Sequence, residues 1–403
     1  MARQMKESGI DWIGRIPNEW HLAQLKRFVT VNNGREILEE IDKSDDAIPV
    51  YGSGGIFKYT SSYLYDGIAV LFGRKGTLGK PIMTNGKIWV VDTMYYLTYS
   101  PELDPKFNYF QLQCFDWVPH ITQTALPSIV ASEIVSCSFA FPPLWEQKKI
   151  ASFLEAELAK IDIVQRNTRF AIDEYKRLRQ SIIAEAVTKG IQRNRQMKPS
   201  GIDWIGKLPA DWKVQRGKHL FVETNERSID GHEELLTVSH ITGVTPRSMK
   251  NVNMFMAESL VDYKVCHIGD LAANTMWMWQ GAIGVSKYEG VISPSYNTYR
   301  QRNNSYYYGY LEYLLRIPNL VATYAAYSTG ITASRLRLYP DQFFSIMFPV
   351  PPMSEQKEIA DYLDKKCAEI DTLISKKAAL LEELENYKKS LIYEYVTGKK
   401  EVQ

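Results

Sequence analysis

The sequence has few of the residues that build metal and redox sites. Its 403 residues include six histidines, which form neither an H-x-x-x-H nor an H-E-x-x-H pattern. The four cysteines form no C-x-x-C pair, because they stand far apart at Cys114, Cys137, Cys266 and Cys367. This scatter predicts a reducing, cytoplasmic setting and argues against disulfides and a zinc site.

Long apolar runs and targeting signals are also missing. No stretch approaches the roughly 20 apolar residues that span a membrane, and residues 1–7 lack the apolar core of a signal peptide. Apolar residues make up 45% of the chain and charged residues 23%, which is ordinary for globular protein. The length allows two to four domains.

Charges of the two signs nearly balance. The net charge of +2 is weak for a protein that holds nucleic acid on its own. The balance is uneven, since residues 141–209 contain 13 Lys and Arg against 8 Asp and Glu, whereas residues 21–140 contain 10 against 12. Either this charge distribution is that of an ordinary solvated surface, or the protein binds DNA phosphates together with a more basic partner subunit.

The sequence contains no recognisable catalytic constellation. A phosphate loop of the form G-x-x-x-x-G-K-[ST] is absent, and Gly52–Gly55 is too short to argue for a cofactor loop. The double prolines at Pro142 and Pro351 lack the polar and aromatic neighbours of an amino-methyltransferase motif. Glu146-Gln147-Lys148 matches a nuclease E-x-K, but it opens a helix instead of lying on a strand. We therefore expect no catalysis and no cofactor in this chain.

What the sequence does contain is a long repeat. The segment that opens with F-P-P-L-W-E-Q-K-K-I at Phe141 recurs as V-P-P-M-S-E-Q-K-E-I at Val350, and the offset of 209 holds without a gap to the end of the copy. Neither copy has Pro or Gly after its double proline until about residues 189 and 397, so each predicts a helix about 65 Å long. A near-heptad apolar stripe predicts that the helices pack on each other as an antiparallel coiled coil. The predicted packing residues are Leu154, Leu158, Ile161, Ile172, Tyr175, Ile182, Leu363, Ile370, Leu381, Leu384 and Leu391.

A second repeat lies at the start of each half. Arg3–Gly14 recurs as Arg195–Gly206 with eleven of twelve positions identical, and a looser echo continues to Trp20 and Trp212. We call these segments straps. The pattern fits a strap that docks on a neighbouring surface, and it equally fits a turn at the start of a domain with a buried Trp.

The repeats divide the chain into strap, domain and helix, twice over. The boundaries are 1–20, 21–140 and 141–190 for the first half, then 191–209, 210–349 and 350–403 for the second. The two domains barely resemble each other, but each has a short strand, at 67–72 or 269–273, that runs into a glycine-punctuated loop. Returning strands are predicted near 90–91 and 291–292, and helices at 108–117 and 306–315. The fold class is therefore mixed α/β (α+β) with a pseudo-twofold internal repeat.

With these motifs the chain resembles the specificity subunit of a type I restriction–modification system. The motif Pro-Pro-Leu-x-Glu-Gln-x-x-Ile heads both long helices, with Met353-Ser354 as a small departure, and both straps carry Gly-Ile-Asp-Trp-Ile-Gly. The resemblance implies two target-recognition domains, each reading one half of a bipartite DNA site, and helices that set the spacer. It also implies two modification subunits that methylate adenine with S-adenosylmethionine, and restriction subunits that use ATP and Mg. The specificity subunit itself would have no catalysis.

Base contacts need hydrogen-bonding side chains on exposed loops. Two sets of residues meet this condition in the sequence, and each member could instead be solvated surface or local packing. The candidates are Arg74, Lys75 and Thr77 with Ser53 and Lys58 in the first domain, and Trp279, Gln280, Arg335 and Arg337 in the second. The competing hypothesis is a coiled-coil scaffold protein that does not bind DNA. The missing motifs disfavour a self-contained methyltransferase or nuclease.

Overall fold

The computed structural model of the chain describes residues 3–250, 259–330 and 336–402. The chain forms two compact units. Unit 1 contains Met1–Arg169 together with Ala378–Gln403, and unit 2 contains Phe170–Lys377. Each long helix therefore contributes one part to unit 1 and the other part to unit 2.

Unit 1 begins with a strap and continues into a head built of two small sheets. Its strands are β1 (Met5–Glu7), β2 (Arg15–Pro17), β3 (His21–Gln24), β4 (Val29–Asn33), β5 (Ile48–Gly52), β6 (Gly55–Thr60), β7 (Tyr65–Asp66), β8 (Ala69–Gly73), β9 (Ile82–Thr84), β10 (Lys87–Val90), β11 (Met94–Tyr99) and β12 (Ser138–Phe141). Its helices are α1 (Pro105–Cys114), α2 (Ala131–Ser136) and the start of α3 (Leu144–Lys189).

In the described part of the chain, unit 2 has the same number of strands and two more short helices. Its strands are β13 (Met197–Pro199), β14 (Lys207–Pro209), β15 (Lys213–Arg216), β16 (Phe221–Thr224), β17 (Leu236–Ser239), β18 (Gly243–Pro246), β19 (Lys264–Cys266), β20 (Leu271–Ala273), β21 (Ile283–Val285), β22 (Gly290–Ile292), β23 (Asn297–Gln301) and β24 (Met347–Val350). Its helices are α4 (Gly217–Leu220), α5 (Tyr308–Leu314), α6 (Pro318–Tyr327), α7 (Pro340–Ser345) and the start of α8 (Met353–Val396).

The two heads share one topology although their sequences barely resemble each other. The order β4-β11-β8-β9 in unit 1 corresponds to β16-β23-β20-β21 in unit 2, and both sheets are antiparallel. The hairpin β5–β6 corresponds to β17–β18, and the antiparallel pair β7–β10 corresponds to β19–β22. Even the parallel contact of β5 with β10 has a counterpart, a single parallel bridge between Leu235 and Val291.

The predicted short elements are present, but several boundaries differ. The helix predicted at 108–117 spans Pro105–Cys114 instead, because Asp104 accepts a hydrogen bond from the Phe107 N–H as N-cap and Pro105 suits the first turn. The helix predicted at 306–315 is Tyr308–Leu314, and the strand predicted at 67–72 is Ala69–Gly73. Asp104 followed by Pro105 is a helix-start signal that lies in the sequence itself.

The two long helices pack antiparallel, as predicted. In unit 1, Asp162 pairs with Lys388 at 2.6 Å, and the Gln165 amide donates to Glu385 at 3.3 Å. In unit 2, Arg179 pairs with Asp371 at 3.2 Å. The residue numbers in each pair add up to 550, so α3 and α8 run in opposite directions and keep one register in both units.

Part of the predicted apolar stripe lies in the hydrophobic cores of the two units. These members are Leu154, Leu158, Ile161, Leu384 and Leu391 in unit 1, and Ile182 and Leu363 in unit 2. The members of the stripe differ in how deeply they are buried. Leu154, Ile161, Leu363, Ile370 and Leu391 are buried, whereas Leu158, Ile172, Tyr175, Ile182, Leu381 and Leu384 are half-buried. Gln165 and Thr168 continue the heptad spacing of the stripe and are buried, so the contact is polar near its centre.

Candidate nucleic-acid interface

A repeated glutamate fixes each strap to the start of a long helix. In unit 1, Glu146 accepts hydrogen bonds from the Trp20 indole at 3.2 Å and from Arg3 at 2.6 Å. In unit 2, Glu355 accepts from the Trp212 indole at 2.8 Å and from Arg195. Because a buried carboxylate needs paired charge and hydrogen bonds, each strap supplies the groups that allow the Glu to lie inside.

The glutamine that follows fixes the head. The Gln147 side chain accepts from the Asp104 N–H at 2.8 Å and donates to the carbonyls of Pro142 and Glu102. Gln356 accepts from the Tyr307 N–H at 2.7 Å and donates to the carbonyls of Pro351 and Ser305. Since Asp104 and Tyr307 are the N-caps of α1 and α5, the Glu-Gln pair joins strap, helix and head at one point in each unit.

The strap also meets the end of the other long helix. Gly190 follows α3 with φ of +77°, and a Cβ there would lie 3.0 Å from Arg195 Nη1 of the strap. Gly398 follows α8 with φ of +71°, and a Cβ there would lie 2.4 Å from Pro17. Both positions require glycine for its left-handed backbone and for space. Trp20 and Trp212 are fully buried, whereas Trp12 and Trp204 of the repeated motif itself are half-buried.

In unit 1 three loops meet beyond the end of β8. The backbone N–H groups of Arg74 and Lys75 donate to the Thr93 carbonyl at 2.8 and 3.2 Å, and Arg74 accepts from the Ile129 N–H at 3.0 Å. Lys75 forms an isolated antiparallel bridge with Ser128. The Ser53 hydroxyl lies close to the same loop. A Cβ added at Gly76 would be 2.7 Å from Ser53 Oγ.

This group of loops is a surface on which hydrogen-bonding side chains face solvent. Arg74 and Lys75 are exposed, whereas Thr77 and Ser53 are half-buried. The Arg74 guanidinium lies 6.0 Å from the Tyr95 ring centre, which holds it against the sheet. Lys58, on strand β6, differs from the other candidates of this unit. Its ammonium group forms an ion pair with Glu40 at 2.5 Å, so its charge is already balanced.

In unit 2 the corresponding loop follows β20 and is aromatic. Trp279 and Gln280 form a 3₁₀ turn with Met278, and the Trp279 ring stacks on Trp277 with centroids 6.2 Å apart and planes 16° apart. Trp277 is 47% exposed. Trp277 is a further candidate beyond those predicted from the sequence, and the signal for it is its spacing of two residues from Trp279.

The remaining candidates of unit 2 lie in the segment after α6. Arg337 is exposed and exchanges two backbone hydrogen bonds of 2.9 Å with Thr329. Helix α6 packs closely against the aromatic loop. Val321 of α6 lies so near Gly281 that a Cβ added at Gly281 would be 2.8 Å from it. Arg335 lies outside the described residues.

The cysteines of the two heads are not activated nucleophiles. Burial raises the pKa of the Cys114 and Cys266 thiols to about 12, so both are protonated at neutral pH. Within residues 3–250, 259–330 and 336–402, no group of three or more His, Cys, Asp or Glu is placed to hold a metal ion. Among the described residues, none of the helices combines the length and the apolar character of a membrane span.

Comparison with known proteins defines the class. The family model for the type I restriction modification DNA specificity domain matches residues 17–170 and 244–385, and the chain belongs to this family. Its fold and family together make it a DNA sequence-recognition subunit of a type I restriction–modification system. The scaffold alternative is not favoured.

Two curated relatives and two solved structures illustrate the similarity. A type I restriction enzyme specificity subunit of Haemophilus influenzae is 21% identical over 341 residues, which are 83% of this chain and 84% of that protein. The MjaVIII specificity subunit of Methanocaldococcus jannaschii is 23% identical over 237 residues, 51% of this chain and 50% of that protein.

The solved structures show the fold at low identity. A chain from work on complex assembly and conformational transition of the type I R-M system matches with a TM-score of 0.70 at 16% identity, covering 96% of this chain and 99% of that one. The HsdS subunit from Thermoanaerobacter tengcongensis matches with a TM-score of 0.55 at 16% identity, covering 98% and 100%.

Proposed function

We propose that each head reads one half of a bipartite, asymmetric DNA site and that the α3–α8 pair sets the spacer between the halves. The observation that carries the proposal is one scaffold used twice with different loops. The heads share their strand order, yet the loop after β8 presents Arg74 and Lys75 whereas the loop after β20 presents Trp277 and Trp279. Equal scaffolds with unequal reading loops suit two unlike half-sites.

The chain acts, in this proposal, as the recognition part of a larger cytoplasmic assembly. Two modification subunits and the restriction subunits dock on it, and S-adenosylmethionine, ATP and Mg belong to those partners. The net charge of +2 supports the idea that the partner subunits contribute to binding the DNA phosphates. A protein that binds a DNA duplex by itself usually carries more positive charge. Methyl transfer and cleavage would be carried out by the partners alone.

Exchange of one head tests the modular part of the proposal. Residues 21–140 carry β3 together with most of its pairing partner β12, so their replacement by the matching segment of another specificity subunit keeps this pair together. The assembled complex should then methylate sites with one new half and one unchanged half, as mapped across a genome. Both halves changing, or neither, would contradict the proposal.

Labelled cofactor tests the division of labour. The purified chain should transfer no methyl group from S-adenosylmethionine to DNA, whereas the chain assembled with its modification subunits should do so at adenine. A gel-shift comparison with and without those subunits separates a DNA reader from a scaffold, since a scaffold would leave the DNA affinity of the modification subunits unchanged.

A further inference from the structure

The loop after β20 presents an apolar ridge that plays no part in the core of unit 2. We define the tryptophan ridge as Met276, Trp277 and Trp279. Met276 and Trp277 are 36% and 47% exposed, and Trp279 is half-buried. Large apolar side chains grouped at the surface commonly mark a binding site.

The ridge is held in one conformation by the residues around it. Asn274 donates to the Tyr296 hydroxyl at 2.8 Å and to the Ala282 carbonyl at 2.9 Å, and its side chain accepts from the Met276 N–H. Between the two tryptophans, Met278 is 1% exposed and anchors the turn in the core. The Trp279 indole donates to the Met276 carbonyl at 3.1 Å. A rigid display reduces the ordering cost that a binding partner would otherwise meet.

The position of the ridge assigns it to the reading surface. It follows β20, the counterpart of β8, and β8 leads into the loop of Arg74 and Lys75. The two equivalent loops therefore present opposite chemistry, with cations in unit 1 and aromatic rings in unit 2. Trp277 and Trp279 already form a two-membered stack with nearly parallel planes, 16° apart.

We propose that the Trp277–Trp279 stack is a platform on which a base of the second half-site stacks, so that this head reads a locally unstacked step. The inference rests on the proposed function, since it requires the second head to contact DNA. Every base has a π-face that an aromatic ring can cover, and such stacking does not require basic residues. Apolar side chains that insert into a base step unstack it, which costs free energy. This cost is lower at flexible steps, so such a head would prefer them.

The test uses the chain assembled with its modification subunits. The DNA is a duplex that carries the recognition site at which this complex methylates adenine. A Trp277→Ala variant should bind this duplex about ten-fold more weakly, in line with the contribution of base–aromatic stacking. Trp277→Phe should stay within about three-fold, because it keeps an aromatic face. Ile229→Ala is the matched control, since Ile229 is an apolar side chain of the same unit that is 91% exposed.

A second measurement reports on the base itself. 2-Aminopurine is placed at successive positions of the second half-site, and its fluorescence is recorded on binding. The wild-type complex should change the fluorescence strongly at one position, and Trp277→Ala should abolish that change. An abasic site opposite that position should increase wild-type affinity, because less stacking is lost on binding.

The outcomes separate this inference from the proposed function. If the wild-type complex methylates a bipartite site but Trp277→Ala binds and reports like wild type, the stacking platform is wrong and the reader function stands. If the wild-type complex has no site preference, the proposed function itself fails. If Trp277→Ala instead prevents assembly with the modification subunits, the ridge is a protein contact and the inference is overturned.

Discussion

At the scale of single residues, the Glu-Gln pair explains why the start of the long repeat is so similar in its two copies. Glu146 and Glu355 hold a strap, and Gln147 and Gln356 hold a head, with the same atoms in both units. Each side chain satisfies polar groups that are buried on folding, so neither can be exchanged for an apolar residue without leaving a partner unpaired.

Removal of Glu355 should therefore destabilise unit 2. Glu355→Ala leaves the buried Trp212 indole without its acceptor, whereas Arg195 keeps its ion pair with Asp211 at 2.6 Å, so we expect a cost of about 2 kcal/mol. The measurement is the denaturation midpoint followed by tryptophan fluorescence. Glu358→Ala, an exposed glutamate of the same helix, is the control and should leave the midpoint nearly unchanged. Equal midpoints for the two variants would refute the role given to Glu355.

The glutamine should tolerate no negative charge. Gln356 is fully buried and donates to two backbone carbonyls, so Gln356→Glu removes both donors and places a carboxylate against them. We expect a loss of about 3 kcal/mol at pH 8. The loss should shrink at pH 5, where the acid regains a proton and can donate once. Gln356→Ala is the control. Because alanine does not titrate, its loss of stability should not change between pH 8 and pH 5.

His267 provides a pH-dependent contact in unit 2. Its ring nitrogens lie 3.0 Å from Glu226 and 2.8 Å from Glu289. The hydrogen bond with Glu226, and then that with Glu289, raises the pKa of His267 above its ordinary value. Since the folded pKa is the higher one, the stabilisation is complete below the unfolded pKa of about 6.5 and is lost as the pH rises through the folded value.

An NMR titration of the His267 ring should therefore show a midpoint above 6.5 that falls in a Glu226→Gln variant. The thermal midpoint of wild type should decline with rising pH more than that of His267→Gln. His232→Gln, at an exposed position of the same unit, is the control and should follow wild type. A His267 midpoint at or below 6.5 would contradict the contact.

At the scale of elements, the helix pair was readable from the sequence and the heads were less so. The repeat predicted helices over 144–189 and 353–397, and the structure has Leu144–Lys189 and Met353–Val396. Heptad spacing is a local property, so it survives in a single sequence. The direction of packing follows from polar contacts such as Asp162 with Lys388, which lie far apart along the chain.

Paired insertions test the helix pair as a spacer. Seven residues inserted after Phe170 in α3 and seven after Ala379 in α8 keep the heptad phase and lie at the same level of the antiparallel pair. Each insertion lengthens its helix by roughly 10 Å, which equals about three base pairs of DNA. Genome-wide methylation mapping should then show a longer spacer with unchanged half-sites.

An insertion in α3 alone is the matched control for this experiment. It displaces one helix against the other, so the contacts of Gln165 with Glu385 and of Arg179 with Asp371 could not both persist. We expect a lower thermal midpoint and weak methylation from the single insertion. A paired insertion that methylates with the original spacer would show that the helices do not set it.

At the scale of the whole molecule, the two units repeat one arrangement although their head sequences differ. Strap, head and helix start meet at one Glu-Gln pair in both units. Family membership and this repetition agree on a DNA-recognition subunit. The candidate reading residues stay predictions, and Arg74, Lys75 and Arg337 among them lie exposed on loops of the heads.

The sequence by itself determined the repeats and the two long helices, because these are recorded as local periodicity and as similarity between the copies. Only the tertiary structure decided that the heads share one strand order and that Trp277 stands beside Trp279 on a rigid ridge. Strand pairing depends on contacts between residues far apart, and many sequences satisfy the same pairing. That is why two heads with little sequence in common have the same fold and differ in the loops that it presents.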